Sequence, residues 1–159
     1  MRPQYQVNCP VCGTFTLERN AYDDFLNPEH GLGRKLKQFQ RARISHKIRN
    51  AKSVDESEPP LITSDFIERY TKDGFPGPTP NEQAISAIRY IGDCINATGE
   101  RIGSLPEGFY AVIGAPNVTF AGELLFELYD RGLITGIKHQ TLSSPPELSD
   151  INMTLAGWQ

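Results

Sequence analysis

Cys9-Pro10-Val11-Cys12-Gly13 is the densest chemical signal in the chain. Two thiolates separated by two residues can grip one Zn²⁺, and the glycine behind them lets backbone amides turn toward the sulfurs. A closed structural site needs four ligands, and no second Cys-x-x-Cys occurs. His30 and His46 are the further metal-ligand candidates, with Cys94 and His139 behind them, and none has paired spacing. The pair therefore reads either as part of a structural zinc site or as a metal-free knuckle. Catalytic zinc would need a general-base carboxylate beside it, as where His-x-Glu accompanies Pro-Cys-x-x-Cys, and the chain has no His-x-Glu. Cys94 falls on the inner stripe of a predicted helix over 80–97, which makes it a small core residue rather than a nucleophile with a histidine base. No P-loop, Gly-x-Ser-x-Gly or Gly-x-Gly-x-x-Gly is present, which argues against a self-contained enzyme.

The second chemical feature is charge. Residues 34–52 hold eight of the 16 Lys and Arg (Arg34, Lys35, Lys37, Arg41, Arg43, Lys47, Arg49, Lys52) and no acid, so a formal net charge of −3 conceals a marked asymmetry. An anionic partner, nucleic acid included, would meet this segment first, because a local positive field steers while distant charges are screened. The competing reading is a solvated face, or a face docked on the chain's own acidic part. Within 34–52 the apolar residues make no clean helical stripe, since one helix would put Arg43 and Lys47 among Leu36, Ile44 and Ile48. The expectation is a break near Ser45, which can cap a second helical piece.

A hydrophobic content of 38% over 159 residues suits a globular protein of one compact domain or two small ones. No run approaches the roughly 20 apolar residues of a membrane span, and no signal-peptide core opens the chain, so a cytoplasmic protein without a membrane partner is expected. Asn-x-Thr at Asn96, Asn117 and Asn152 is read as chance.

The predicted fold class is α+β and mostly helical. Tyr5 and Val7, then Phe15 and Leu17, alternate on either side of the cysteine turn and predict a hairpin. Asn20 is positioned to cap a short helix carrying Tyr22, Phe25 and Leu26. Residues 1–52 form the first predicted unit, 53–78 a linker with a short helix capped by Thr63 or Ser64, and 79–159 the second unit. There, Thr79-Pro80-Asn81-Glu82 is an N-terminal helix signature, followed by Ile85, Ile88, Ile91 and Ile95 on one face. A short helix at 109–115, a turn at Pro116-Asn117, a helix capped by Thr119, Gly132 as its stop, and strands at 133–137 and 151–153 give the winged-helix order. Between 104 and 159, two basic residues face six acids, which suits protein contact better than DNA reading. Thr154 with Leu155 and Trp158 reads as the start of one more helix, so the natural chain is expected to continue past Gln159.

CPVCG, RARISHKIR, TPNEQAISAIRYIG, LLFELYDRGLI and MTLAGW together resemble the N-terminal regions of bacterial multidomain proteins of phage defence, where such a region precedes an effector such as a TIR-type domain. The resemblance implies a sensing or assembly role, with no NAD-cleaving residues carried in these positions. The leading expectation is a non-catalytic sensor, assembly or protein-interaction module. The alternatives are a winged-helix regulator that contacts phosphates through residues 34–52, and a fragment of an enzyme whose catalytic domain lies beyond residue 159.

Overall fold

The computed structural model describes residues 4–27, 31–53, 57–141 and 143–159, apart from the side chains of Leu26, Leu32 and Arg34. The class is mixed α and β, with more helix than strand and two small sheets.

Alternation in the first residues produces the expected hairpin. Strand β1 (Gln4–Cys9) pairs antiparallel with β2 (Gly13–Glu18), placing Val7 opposite Phe15 and Cys9 opposite Gly13. Phe15 and Leu17 point inward and are buried. The helical turn α1 (Arg19–Ala21) runs directly into a π-helical turn at Tyr22–Leu26. Asn20 lies inside α1 and Glu18 stands at the cap position, so the expected Asn20 cap is not formed.

Helix α2 (Gln38–Arg49) is continuous through Ser45, contrary to the expected break. The reason lies in its partners: Arg43, which spoils its apolar stripe, is bonded inward to backbone carbonyls, and Lys47 lies over the Tyr70 ring. The predicted linker also contributes to the core. Strand β3 (Leu61–Ile62) adds in parallel to β2, and α3 (Ser64–Thr71) starts at a Thr63 cap whose hydroxyl accepts from the Phe66 amide. Ile62 and Ile67 join Phe15, Leu17, Phe25 and Ile48 in the first hydrophobic core.

The second core is built by α4 (Pro80–Thr98), β4 (Ile102–Ser104), α5 (Phe109–Val112), α6 (Val118–Asp130), β5 (Ile134–Thr141) and β6 (Ser144–Met153). Thr79 and Glu82 form the predicted capping box, and Gly99 closes α4 at φ 71°. Of the isoleucine stripe, Ile91 is fully buried whereas Ile85 is about half exposed at 49%. The α6 cap is Asn117, not Thr119: its Oδ1 accepts from the Phe120 amide at 2.9 Å. Gly132 ends that helix at φ 70°, where a left-handed residue is needed.

The strands form one sheet in the order β4-β6-β5. Strand β6 extends well beyond the predicted return segment, and Asp150 at φ 49° lies in a register shift between its pairings at Ser149 and Asn152. The extra residue turns both Leu148 and Ile151 to the core, although they lie three apart. The final turn, held by Thr154 through its hydroxyl to the Gly132 and Leu133 carbonyls, is not a regular helix. Trp158 there packs against Gly92 of α4, where an added Cβ would sit 3.2 Å from the indole ring.

Candidate functional site

At the hairpin tip, the Cys12 amide donates to Cys9 Sγ at 3.3 Å, and Gly13 at φ 82° makes the turn possible. Burial pushes the Cys12 thiol up to about 11, with Cys9 adding to the effect and Ser45 and Arg49 opposing it. The tip is docked rather than free. Arg49 donates to the Val11 carbonyl at 3.0 Å, while Val11 packs against the second core, where Gly108 leaves room for it. A Cβ on Gly108 would lie 2.4 Å from a Val11 methyl. Cys9 and Cys12 thus sit together at a junction between the two cores. As zinc ligands they lack company: among the described residues no three His, Cys, Asp or Glu gather around a common point. His30 lies outside the described residues. Two thiols do not complete a four-ligand site.

His46 is 6% exposed and its Nδ1 lies 3.0 Å from the Val112 carbonyl. A carbonyl only accepts, so Nδ1 carries the proton. Burial lowers its pKa, with the Val112 bond opposing. The other members of the basic segment divide sharply. Arg43 is 4% exposed and its guanidinium donates to the carbonyls of Phe75 and Lys72, while Phe39 and Phe75 flank it. Burial lowers its pKa, and Asp73 opposes this. Arg49 stacks on the Tyr90 ring at 5.1 Å, and Lys47 reaches the Tyr70 ring at 5.7 Å. Lys35, Lys37, Arg41 and Lys52 are exposed, with Arg41 bonded to the Leu36 carbonyl. The Arg34 side chain lies outside the described residues. The eight cations therefore do not make one anion-binding face: Arg43 and Arg49 are used inside the protein.

Sequence reasoning missed a cleft of about 270 Å³ in the second unit. Leu105, Pro106, Phe109 and Tyr110 form one wall, Val118, Ala121 and Leu125 of α6 another, and Pro145–Leu148 of β6 the third. Glu107 and Glu147 stand at it as exposed carboxylates. Gly122 sets the shape, because the Pro146 carbonyl rests where its Cβ would be, only 1.9 Å away. A glycine inside an apolar helix, followed some twenty residues later by two prolines, was the available signal; sequence alone could not bring them together. On its outer side α6 carries Glu123, Glu127 and Asp130. Arg131 pairs with Glu127 at 2.6 Å, and Lys138 with Asp130 at 2.5 Å beneath the rings of Phe126 and Tyr129.

No described helix is long and apolar enough to cross a membrane. Comparison of the chain with protein families, with curated proteins and with solved structures finds no match.

Proposed function

We propose that this chain is a non-catalytic protein-interaction module, in which a cysteine-knuckle unit is clasped to a winged-helix-like unit. The element order α4-β4-α5-α6-β5-β6, with the sheet ordered β4-β6-β5, supports the winged-helix reading. The observation that carries the functional reading is the distribution of charge. A DNA-reading winged helix brings its second motif helix up to phosphates, whose binding depends on Lys and Arg. Here that helix, α6, exposes Glu123, Glu127 and Asp130. The strongest basic segment sends Arg43 and Arg49 inward. In a protein of the phage-defence type that its short motifs resemble, such a module would supply sensing or assembly contacts.

One observation favours the nucleic-acid alternative. Lys35, Lys37 and Lys72 border an open depression of about 450 Å³, although Glu68 and Asp73 share it. Anisotropy of a labelled duplex DNA separates the readings. Little binding is expected at about 200 mM salt. Tight, salt-sensitive binding that is lost in a Lys35→Gln, Lys37→Gln, Lys72→Gln variant would overturn the protein-interaction reading.

A further inference from the structure

We propose that the cleft between α5, α6 and the beginning of β6 is a socket for a partner protein's peptide segment in which one apolar side chain is flanked by Lys or Arg. The inference rests on the interaction-module reading above and adds the chemistry of the partner.

The cleft is small for a cofactor or drug-sized ligand. Sites for cofactors and drug-sized molecules occupy roughly 300–1,000 Å³. A cleft of about 270 Å³ suits one or two side chains. Its interior is apolar, and Val118 remains 42% exposed at its mouth, so a hydrophobic occupant would remove that surface from water.

Charge then specifies the flanks. Glu107 and Glu147 stand at the cleft, and Glu123 stands on the open shelf that continues from it across Pro145 and Pro146. Among the described residues lining the cleft and the shelf there is no Lys, Arg or His. Exposed carboxylates of one sign contribute little raw affinity, but they steer cationic segments inward and penalise anionic ones.

Backbone chemistry fixes the mode of entry. Strand β4 pairs with β6 at Ser149 and Ile151, and among the described residues no strand pairs with the earlier part of β6 on that side. A peptide could in principle add there as a strand, but Pro145 and Pro146 have no N–H to donate and blunt the edge. Insertion of a side chain is left as the mode. The socket is also preformed, because the Pro146 carbonyl is seated on Gly122 and holds the third wall against α6.

The test uses fluorescence anisotropy with three synthetic peptides: a central Phe between paired Arg, the same with paired Glu, and the Arg peptide with Ser at its centre. The Arg–Phe peptide should bind about tenfold tighter than either control, and less tightly as salt rises. Its ¹⁵N shift changes should centre on Ala121, Gly122 and Leu148. Glu107→Gln with Glu147→Gln should shrink the preference for Arg flanks, and Val118→Arg should abolish binding while leaving thermal unfolding unchanged. Absence of binding by all three peptides, indifference to flanking charge, or shifts mapped elsewhere overturn the socket while the interaction-module reading stands. Duplex DNA that by itself shifts the ¹⁵N resonances of Ala121, Gly122 and Leu148 overturns both.

Discussion

Helices α2 and α6 are nearly equal in length, at 12 and 13 residues, and they are buried by opposite means. Helix α6 enters its core with Ala121, Leu124, Leu125 and Leu128, a continuous apolar face. Helix α2 buries Gln40, Arg43 and His46 alongside Ala42 and Ile48. Its polar side chains are aimed at carbonyls where other elements end. Gln40 donates to Thr71 at 2.7 Å and Arg43 to Lys72 at 3.1 Å, both at the end of α3. His46 donates to Val112 at the end of α5. The last carbonyls of a helix have no intrahelical donor and carry the negative end of its dipole, so a buried end needs such partners. The comparison teaches that a run of cations is a surface only where no orphaned carbonyls are packed against it.

The largest effect expected is at Arg43. Arg43→Met preserves much of the apolar stem but removes the donor of the Phe75 carbonyl and leaves the Lys72 carbonyl only the Phe75 amide, at a cost of about 3 kcal/mol in denaturant unfolding. Leu125→Ala should cost a similar amount through its cavity. A neutral Arg43→Met beside a damaging Leu125→Ala would break the comparison, because the polar contacts of α2 would then be incidental. The same applies to a combined Arg41, Arg43, Lys47 and Arg49 to Gln variant. It should unfold more readily, so weakened partner binding in that variant cannot be assigned to surface charge.

Next comes Gly122→Ala, at about 2 kcal/mol. Alanine gains about 1 kcal/mol in helix propensity over glycine, but overpacking against a backbone carbonyl costs more. The predicted methyl position lies 1.9 Å from the Pro146 oxygen, so β6 must move off α6. Amide exchange should then quicken around Pro146–Leu148 before the rest of the sheet. Unchanged exchange there would mean that the glycine is not what seats the hairpin. Asn117→Ala should cost about 1 kcal/mol through loss of the Phe120 amide bond, measurable by thermal unfolding, whereas Thr119→Ala should be nearly silent.

The apolar half was legible because its elements obey local rules. The capping box at Thr79, the glycine at Gly132 and the alternation around the cysteine turn each predict a geometry that one short segment satisfies alone. The parts that were not legible depend on distant partners. Nothing in residues 38–49 announces that the ends of α3 and α5 will lie beside Arg43 and His46, so the helix looked broken and its charges looked exposed. The placement of Ile62 beside Leu17 depends on a parallel pairing across more than forty residues, which made a core strand look like linker. The cleft belongs to the same class, since Gly122 and Pro146 acquire meaning only together. Even the cap of α6 was displaced by a single choice between neighbours, Asn117 and Thr119, which local composition does not decide.

The smallest effect expected requires no substitution in the first instance, only a change of pH. Buried neutral His46 has its pKa lowered from the ordinary histidine value, chiefly by desolvation. The unfolded chain therefore binds a proton at higher pH than the folded one does, and within that window stability rises with pH. The contribution is fully present above the unfolded pKa, near 6.5, and is lost as pH falls toward and through the lowered folded value. Neighbouring Lys47 pushes the pKa further down, whereas Glu82, exposed in its capping box, pulls it up. Between pH 7.5 and 6 the unfolded histidine goes from about one-tenth to about three-quarters protonated, which bounds the loss at about 0.8 kcal/mol, below that of a missing cap. Other groups titrate as well, and the measurement is therefore the difference between wild type and His46→Gln, whose amide can still donate to Val112. Wild type should lose midpoint stability faster than the variant over this range. Parallel curves would show that His46 is not held neutral, and the donor assigned to the end of α5 would have to be reconsidered.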